Sequence, residues 1–398
     1  MLNVDQAKQE ILKHAKLSVG TENIPLFESL GRRLAKDMVS AIDVPPADNS
    51  AMDGIALFSG DYSETGTRLS LSQRIAAGEA PVALQAGTAA RIFTGAEIPE
   101  GADCVEMQEN CTFHHEGAGY DSVSLNSKPL SGSNIRRRGQ DIESGSQVLT
   151  AGQLLRSQEM GLLASIGIDQ VPVFQKLKIG VFSSGDELVE PGTPLQSAQI
   201  YNSNRYTLAG LIQDSGCEFI DLGCVEDSLE ATIALLRESS TKVDLLISSG
   251  GVSVGEEDHI KPAVEACGSL SVWKIALKPG KPLAMGEVFG TPFFGLPGNP
   301  VSGFATFLLF VKPYLEVMGG GTAKPLEWLK VPANFERPPV SREEYLRVCI
   351  VNGKAEIFPN QSSGVLSSVS WSTGFVRQKI DQSIGLELAV DYLPFESF

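Results

Sequence analysis

Metal-ligand pairs, basic residues and long apolar runs are all scarce in this sequence. None of its six cysteines forms a C-x-x-C pair. Neither a thiolate zinc site nor a dithiol redox motif follows from such spacing. Cys104, Cys111, Cys217, Cys224, Cys267 and Cys349 are expected to be reduced and mostly buried. Of the four histidines, only His114 and His115 are adjacent, in a Gly-rich polar stretch that reads as a surface loop. Lys and Arg number 32 against 48 Asp and Glu, a net charge of −16. That excludes a general nucleic-acid binder, which needs a basic footprint. It also means that an anionic substrate must be met by a local cluster of cations. No apolar run suggests a membrane span, and the first ten residues lack a signal-peptide core, so a cytoplasmic protein is expected.

What is present fits a large globular chain. At 398 residues, with 42% hydrophobic and 20% charged residues, two to four domains are expected. Apolar periodicity predicts helices over 3–19, 26–34 and 153–166, and short strands with turns fill 66–130. From 177 to 317 strands alternate with helices, which predicts βαβ units and a parallel, doubly wound sheet. A single long helix is expected over 300–317. Gly319–Gly320–Gly321 reads as a linker to strand-like runs at 345–351, 355–358 and 385–390. The expected fold is multidomain α/β plus β. It has a small helical/β N-terminal linking domain (1–40 with 131–173) and a mostly-β inserted domain (41–130). A doubly wound domain (174–321) and a small C-terminal β-barrel-like domain (322–398) follow.

The chain is organised around 243–258, V-D-L-L-I-S-S-G-G-V-S-V-G-E-E-D. An apolar strand breaks into Ser249, Gly250, Gly251, Ser253 and Gly255 and ends in three acids. In a doubly wound sheet, loops at the carboxyl ends of strands hold ligands. Glycines admit the backbone to a phosphate, and a carboxylate beside it suits Mg²⁺. A strand-turn-helix connection with an acidic N-cap explains the same residues. Three further loops share that edge: Gly185-Asp186-Glu187, Glu226-Asp227, and W-K-I-A-L-K-P-G-K-P with Lys274, Lys278 and Lys281. If 274–277 is a strand, Lys274 and Lys278 share a face, costly to bury without a partner or ligand. Pro297-Gly298-Asn299 precedes a helix N-terminus, an anion site or merely a Pro-initiated helix. R-R-R-G at 136–139 is either an anion patch or a solvated basic turn.

Several motifs occur in a fixed order: S-A-M-D-G at 50–54, T-G-A-x-x-P-x-G-A-D at 94–103, S-S-G-D-E-L at 183–188, S-G-G-V-S-V-G at 249–255, K-P-G-K-P at 278–282 and G-L-P-G-N-P-V-S at 295–302. Together they resemble the molybdopterin molybdenumtransferase family, the MoeA type that includes the gephyrin E domain. The resemblance covers essentially the whole chain. It implies a MogA-like doubly wound domain within an elongated four-domain subunit that forms a homodimer, with the site between subunits. It implies the last step of molybdenum cofactor synthesis, in which adenylylated molybdopterin and molybdate react with Mg²⁺ to give the cofactor and AMP. An adenylyltransferase would deliver the pterin. Carried over, Asp53 and Thr94 come from the N-terminal motifs, and Glu187, Asp227 and Asp258 are the Mg²⁺ acids. Lys274 and Lys278 are the phosphate lysines, and Arg347 and Ser363 align as molybdate ligands.

The sequence departs from the family pattern at Ile55, Gln140, Asn202 and His259–Ile260. These positions leave room for a tungstate-preferring paralogue. Two other classes remain open at this point. One is a different nucleotide-directed enzyme built on the doubly wound domain, which would not need the N-terminal motifs. The other is a non-catalytic molybdopterin-binding scaffold, which loss of the acids and lysines would favour; all of them are present.

Overall fold

The computed structural model describes residues 2–115, 121–251, 259–280 and 282–398. The chain opens with the helix Val4–Leu12, whose first turn is closed by a capping box between Asn3 and Gln6. Val4, Ala7 and Ile11 form its buried stripe. The helix is shorter than the expected 3–19. Beyond it Ser18 donates its N–H to the Met318 carbonyl at 3.2 Å, which draws the chain along another helix end. The helix expected over 26–34 is only a 3₁₀ turn, Leu26–Glu28. The amides of Gly31 and Leu34 bond the carbonyls of Leu155 and Gln153, so this segment pairs across the fold instead of along itself.

The stretch expected to be β-rich forms a six-stranded sheet. Its order is Cys104–Met107, Gly54–Leu57, Thr88–Ile92, Arg68–Ile75, Ser122–Leu125 and Cys111–His114. Two of the three arginines in the basic turn after it are paired with acids. Arg137 pairs with Asp48 at 2.6 Å and Arg138 with Asp43 at 2.5 Å.

A second six-stranded sheet carries the doubly wound region. Its order is Glu218–Val225, Lys178–Ser184, Leu245–Ser249, Thr291–Leu296, Pro282–Val288 and Gly268–Lys274. The first four strands are parallel, and the last two are antiparallel. The expected all-parallel sheet is therefore mixed. The cause is a two-residue hairpin at Phe289–Gly290, where both residues have positive φ, 49° and 85°. The helices Ser203–Asp214, Leu229–Ser239 and Ile260–Cys267 cover the sheet.

The strand Gly268–Lys274 stops four residues before Lys278. After Ile275 the chain leaves this sheet, and Leu277–Lys278 pairs in parallel with Glu343–Glu344 of a third sheet. Lys274 and Lys278 thus belong to different sheets, not to one strand face. The third sheet runs Leu277–Lys278, Glu343–Val351, Gly374–Gln378, Ala389–Pro394 and Leu329–Pro332, with Lys354–Ile357 beside Glu343–Val351. Phe304, from the helix Pro300–Thr306, packs edge-on against Phe375 of this sheet and Phe395 of the 3₁₀ turn after its strand Ala389–Pro394, with ring centroids 6.3 and 5.2 Å apart. One buried core therefore spans both sheets.

The long helix expected over 300–317 is interrupted. Pro300–Thr306 and Lys312–Met318 are α-helical, and Phe307–Val311 makes a π-turn. Pro313 has no N–H to give and its ring crowds the preceding turn, and a wider turn relieves both. By length and composition this stretch could cross a membrane, but it is mostly buried inside the fold.

Asp391 ties three strands of the third sheet. It accepts from Lys330 and from Arg377 at 3.1 Å, forms an ion pair with Lys379 at 3.4 Å, and Arg377 also stacks on Trp328 at 4.1 Å. Burial opposes ionisation here, but the bonds from Lys330 and Arg377 outweigh it and hold the carboxyl down to about 2. A depressed carboxyl adds stability that is complete above its unfolded value, about 4, and is lost as pH falls through the folded value. Urea melts followed by tryptophan fluorescence should therefore lose on the order of 2 kcal/mol between about pH 4 and pH 2. Asp391→Asn should flatten that limb; an unchanged limb would remove Asp391 as its source.

Candidate functional site

A cavity of about 690 Å³ opens at the carboxyl edge of the central sheet, within the usual range for small-molecule sites. Three parallel strands end at it, through Ser184, Ser249 and the Pro297–Gly298–Asn299 turn. The opposite wall comes from the third sheet's domain, through Arg342 and the loop at Gln361, Ser362 and Ser363. The site sits where a doubly wound sheet is expected to bind ligands, and the C-terminal domain covers it.

Backbone conformation shapes its floor. Gly250 and Gly251 have φ of 94° and 69°. A Cβ at Gly251 would stand 2.1 Å from the Ile260 side chain, so only glycine fits. Gly250 donates its N–H to the Leu296 carbonyl at 3.0 Å, tying two strand ends together. Asn204 donates its side-chain amide to the Gly298 carbonyl at 2.7 Å. Asn202, buried, caps the helix Ser203–Asp214 and donates to the Ser183 hydroxyl at 3.2 Å. The helix beginning at Pro300 offers little to an anion. Pro300 has no N–H, and Val301 gives its own to the Ser363 carbonyl at 3.0 Å. Pro297–Gly298–Asn299 is thus a wall, docked to the C-terminal loop.

Among the described residues, two cations face the cavity, Lys278 and Arg342. Lys278 bonds Glu344 at 2.8 Å, and the same buried carboxylate takes Arg337 at 2.6 Å. One carboxylate is shared by two cations, so this wall keeps a net positive charge. Arg342 was not singled out from the sequence. In S-R-E-E-Y it resembles any surface arginine, and only the pairing of Leu277–Lys278 with Glu343–Glu344 brings it to the site. The same docking of the C-terminal domain brings Gln361 to the cavity, whereas Asn204 reaches it from the helix Ser203–Asp214 through its bond to Gly298.

Glu187 lines the cavity. Asp227 lies behind it and accepts from the Ser184 hydroxyl at 3.3 Å. Among the described residues no group of three His, Cys, Asp or Glu could hold a metal. Asp258, Ser253, Gly255 and Lys281 lie outside the described residues, as does the side chain of Lys274.

Arg347 is placed differently from the molybdate-ligand expectation. It is 1% exposed and does not line the cavity. Its guanidinium donates to the Ser368 hydroxyl and the Ser362 carbonyl, both at 3.1 Å, and its backbone N–H to Gln361 at 3.0 Å. Burial lowers its pKa to about 10. It braces the 361–363 loop from behind. Asp53 and Thr94 lie outside the cavity, in the first sheet's domain. Thr94 donates its N–H and its hydroxyl to one Asp53 oxygen, both at 2.8 Å. Those two bonds hold the Asp53 carboxyl below its usual range.

A family model described as the MoeA N-terminal region, domains I and II, matches residues 2–167. Another, described as a probable molybdopterin binding domain, matches residues 180–317. The chain is 41% identical over 332 residues to the molybdopterin molybdenumtransferase of Haemophilus influenzae, covering 83% of this chain and 80% of that one. It is 35% identical over 370 residues to the molybdopterin molybdenumtransferase of Synechococcus elongatus, covering 90% of each. A crystal structure titled as a molybdopterin biosynthesis moeA protein from Pyrococcus horikoshii superposes with a TM-score of 0.83 at 31% identity over the full length of both chains. On these matches, the chain belongs to the molybdopterin molybdenumtransferase family of the MoeA type.

Proposed function

We propose that this protein inserts molybdenum into adenylylated molybdopterin, releasing AMP and molybdenum cofactor. The single observation that carries the reading is the 690 Å³ cavity, which joins Lys278 and Arg342 to the carboxyl edge of the central sheet in a chain of net charge −16. The substrate carries a pyrophosphate, and molybdate is a dianion. Only a local excess of cations and amides holds such ligands in an acidic protein.

A molybdate oxygen or water attacks phosphorus, forming the new P–O bond as the phosphoanhydride P–O bond breaks and AMP leaves, and Lys278 stabilises the charge that develops. Arg342, with a planar fork of donors, suits bidentate contact with an oxyanion. Ser363 contributes polar atoms at the opposite wall. Arg347 acts through this loop, as a positioning residue rather than a molybdate ligand. The oxygen donors Glu187 and Asp227 fit Mg²⁺, which takes one or two carboxylates and completes its shell with phosphate oxygens. When bound, Mg²⁺ neutralises phosphate charge. Asp258 is proposed as the third acid, and Lys274 and Lys281 as further phosphate cations. The Asp53–Thr94 pair enters the site from the second subunit of a homodimer, which accounts for its place outside the cavity of one chain. An adenylyltransferase that makes the adenylylated pterin is the proposed delivery partner. The scaffold reading has no specific observation in its favour.

The direct test is AMP release from adenylylated molybdopterin with Mg²⁺, with and without molybdate, and with tungstate in parallel. Molybdate-dependent release is expected; binding without release would reject the reading. Lys278→Ala should lower kcat about a hundredfold with the fold kept, because Glu344 retains Arg337. Unchanged turnover would remove Lys278 from the site. Glu187→Gln should raise the Mg²⁺ concentration needed for half-maximal rate, and an unshifted requirement would exclude it as a ligand.

A further inference from the structure

A second concave region lies at the opposite edge of the central sheet. Two adjoining cavities, of about 450 and 210 Å³, share Arg33, Lys312 and Glu316 in their walls. Leu177 and Cys217, which precede the strands Lys178–Ser184 and Glu218–Val225, line the larger one. A strand of seven residues separates this edge from the first cavity, roughly 20 Å away. The two regions have no lining residue in common.

The charge here is unbalanced. Glu316 is the central carboxylate, and Arg33 meets it at 3.7 Å, a loose pair. Lys312, one helical turn before Glu316, and Lys8, from the opening helix, complete a ring of three cations around one acid. Both lysines are half-buried, and among the described residues neither ammonium has an ion-pair partner. Burial lowers the pKa of each, and the nearby acids, Glu316 for both with Asp5 beside Lys8 and Asp214 beside Lys312, only partly offset it. At the rims, Lys176 and Lys324 face the cavities along with Arg32, already paired with Glu22, and among the described residues the only other acidic side chain lining them is Asp214. Half-buried cations in excess of their partners are costly unless a ligand supplies the missing charge. Nothing in the molybdenum chemistry uses them.

We propose that this region is a second anion site, which takes a tetrahedral dianion of the phosphate or molybdate kind between Arg33, Lys312 and Lys8. Arg33 offers a planar pair of donors, and the two lysines act as point charges that neutralise the rest. The site is independent of the first cavity, so it persists when Lys278 is lost.

The test is isothermal titration of the full chain with inorganic phosphate and, separately, with molybdate at constant ionic strength. In the Lys278→Ala protein, saturable binding should remain. Adding Lys312→Met should weaken it about tenfold or more, and Glu316→Gln should tighten it severalfold by removing the competing carboxylate. The opposite sign of the two changes separates a site from loss of fold. If Lys312→Met does not fold, Glu316→Gln decides alone. Binding that vanishes with Lys278→Ala, or that Glu316→Gln leaves unchanged or weakens, would overturn the site. Molybdate favoured tenfold over phosphate would mark a store of the metal substrate, and equal affinity a general phosphate site.

Discussion

Everything about the main cavity depends on one short crossing. At Ile275 the chain leaves the central sheet, and two residues, Leu277 and Lys278, join the C-terminal sheet as an edge strand. Backbone pairing fixes the register, so Lys278 stands opposite Glu344 without adjustment. The contact would be weak alone, since two residues make few ladder bonds. It is backed by the shared core, where Phe304 meets Phe375 and Phe395 and Tyr345 lies fully buried. Packed interiors resist small displacements, so the two walls hold their spacing. Arg347 extends this rigidity to the loop at Ser362. A buried guanidinium is tolerated because two acceptors meet it, and the loop carbonyl is fixed in return.

Charge is distributed against the average of the molecule. The chain carries −16 overall, yet each edge of the central sheet gathers cations. The two clusters are held differently. At the carboxyl edge, Lys278 and Arg337 share the nearly buried Glu344, which orients Lys278 without neutralising both partners. At the amino edge, Lys8 and Lys312 stand half-buried beside one loosely paired carboxylate. The first arrangement suits a cation that must be aimed, the second a pocket whose charge is completed by what enters it. An acidic surface elsewhere repels stray anions and leaves these two places as the favourable ones.

The doubly wound region was legible in the sequence because each strand and helix carries its own period. The strand Glu218–Val225 and the helix Leu229–Ser239 fall within a residue of their expected bounds. The glycines at 250–251 were legible because a positive φ leaves a residue signature. What failed was anything decided by a distant partner. The segment at 26–34 has helical spacing, but its amides find carbonyls at 153–155. Lys274 and Lys278 have strand spacing, yet a sheet change falls between them. Arg347 aligned with the family's molybdate ligands, but the structure buries it against Ser368 and the Ser362 carbonyl, away from the cavity lining. Arg342 was passed over because no local pattern distinguishes a cavity arginine from an exposed one.

The Asp53–Thr94 pair carries the last step of the argument. Two bonds from Thr94 keep Asp53 ionised and fix its orientation, a degree of order that a surface loop does not require. The pair sits in the first sheet's domain, outside the cavity that the other two domains form. A preorganised carboxylate outside the main cavity fits the proposal that a neighbouring copy completes the site. On the proposed homodimeric reading, the cations of the main cavity bind the phosphates within one subunit, and the acid that completes the constellation comes from the second chain. Binding and turnover should therefore respond differently to dilution, because only turnover needs both copies.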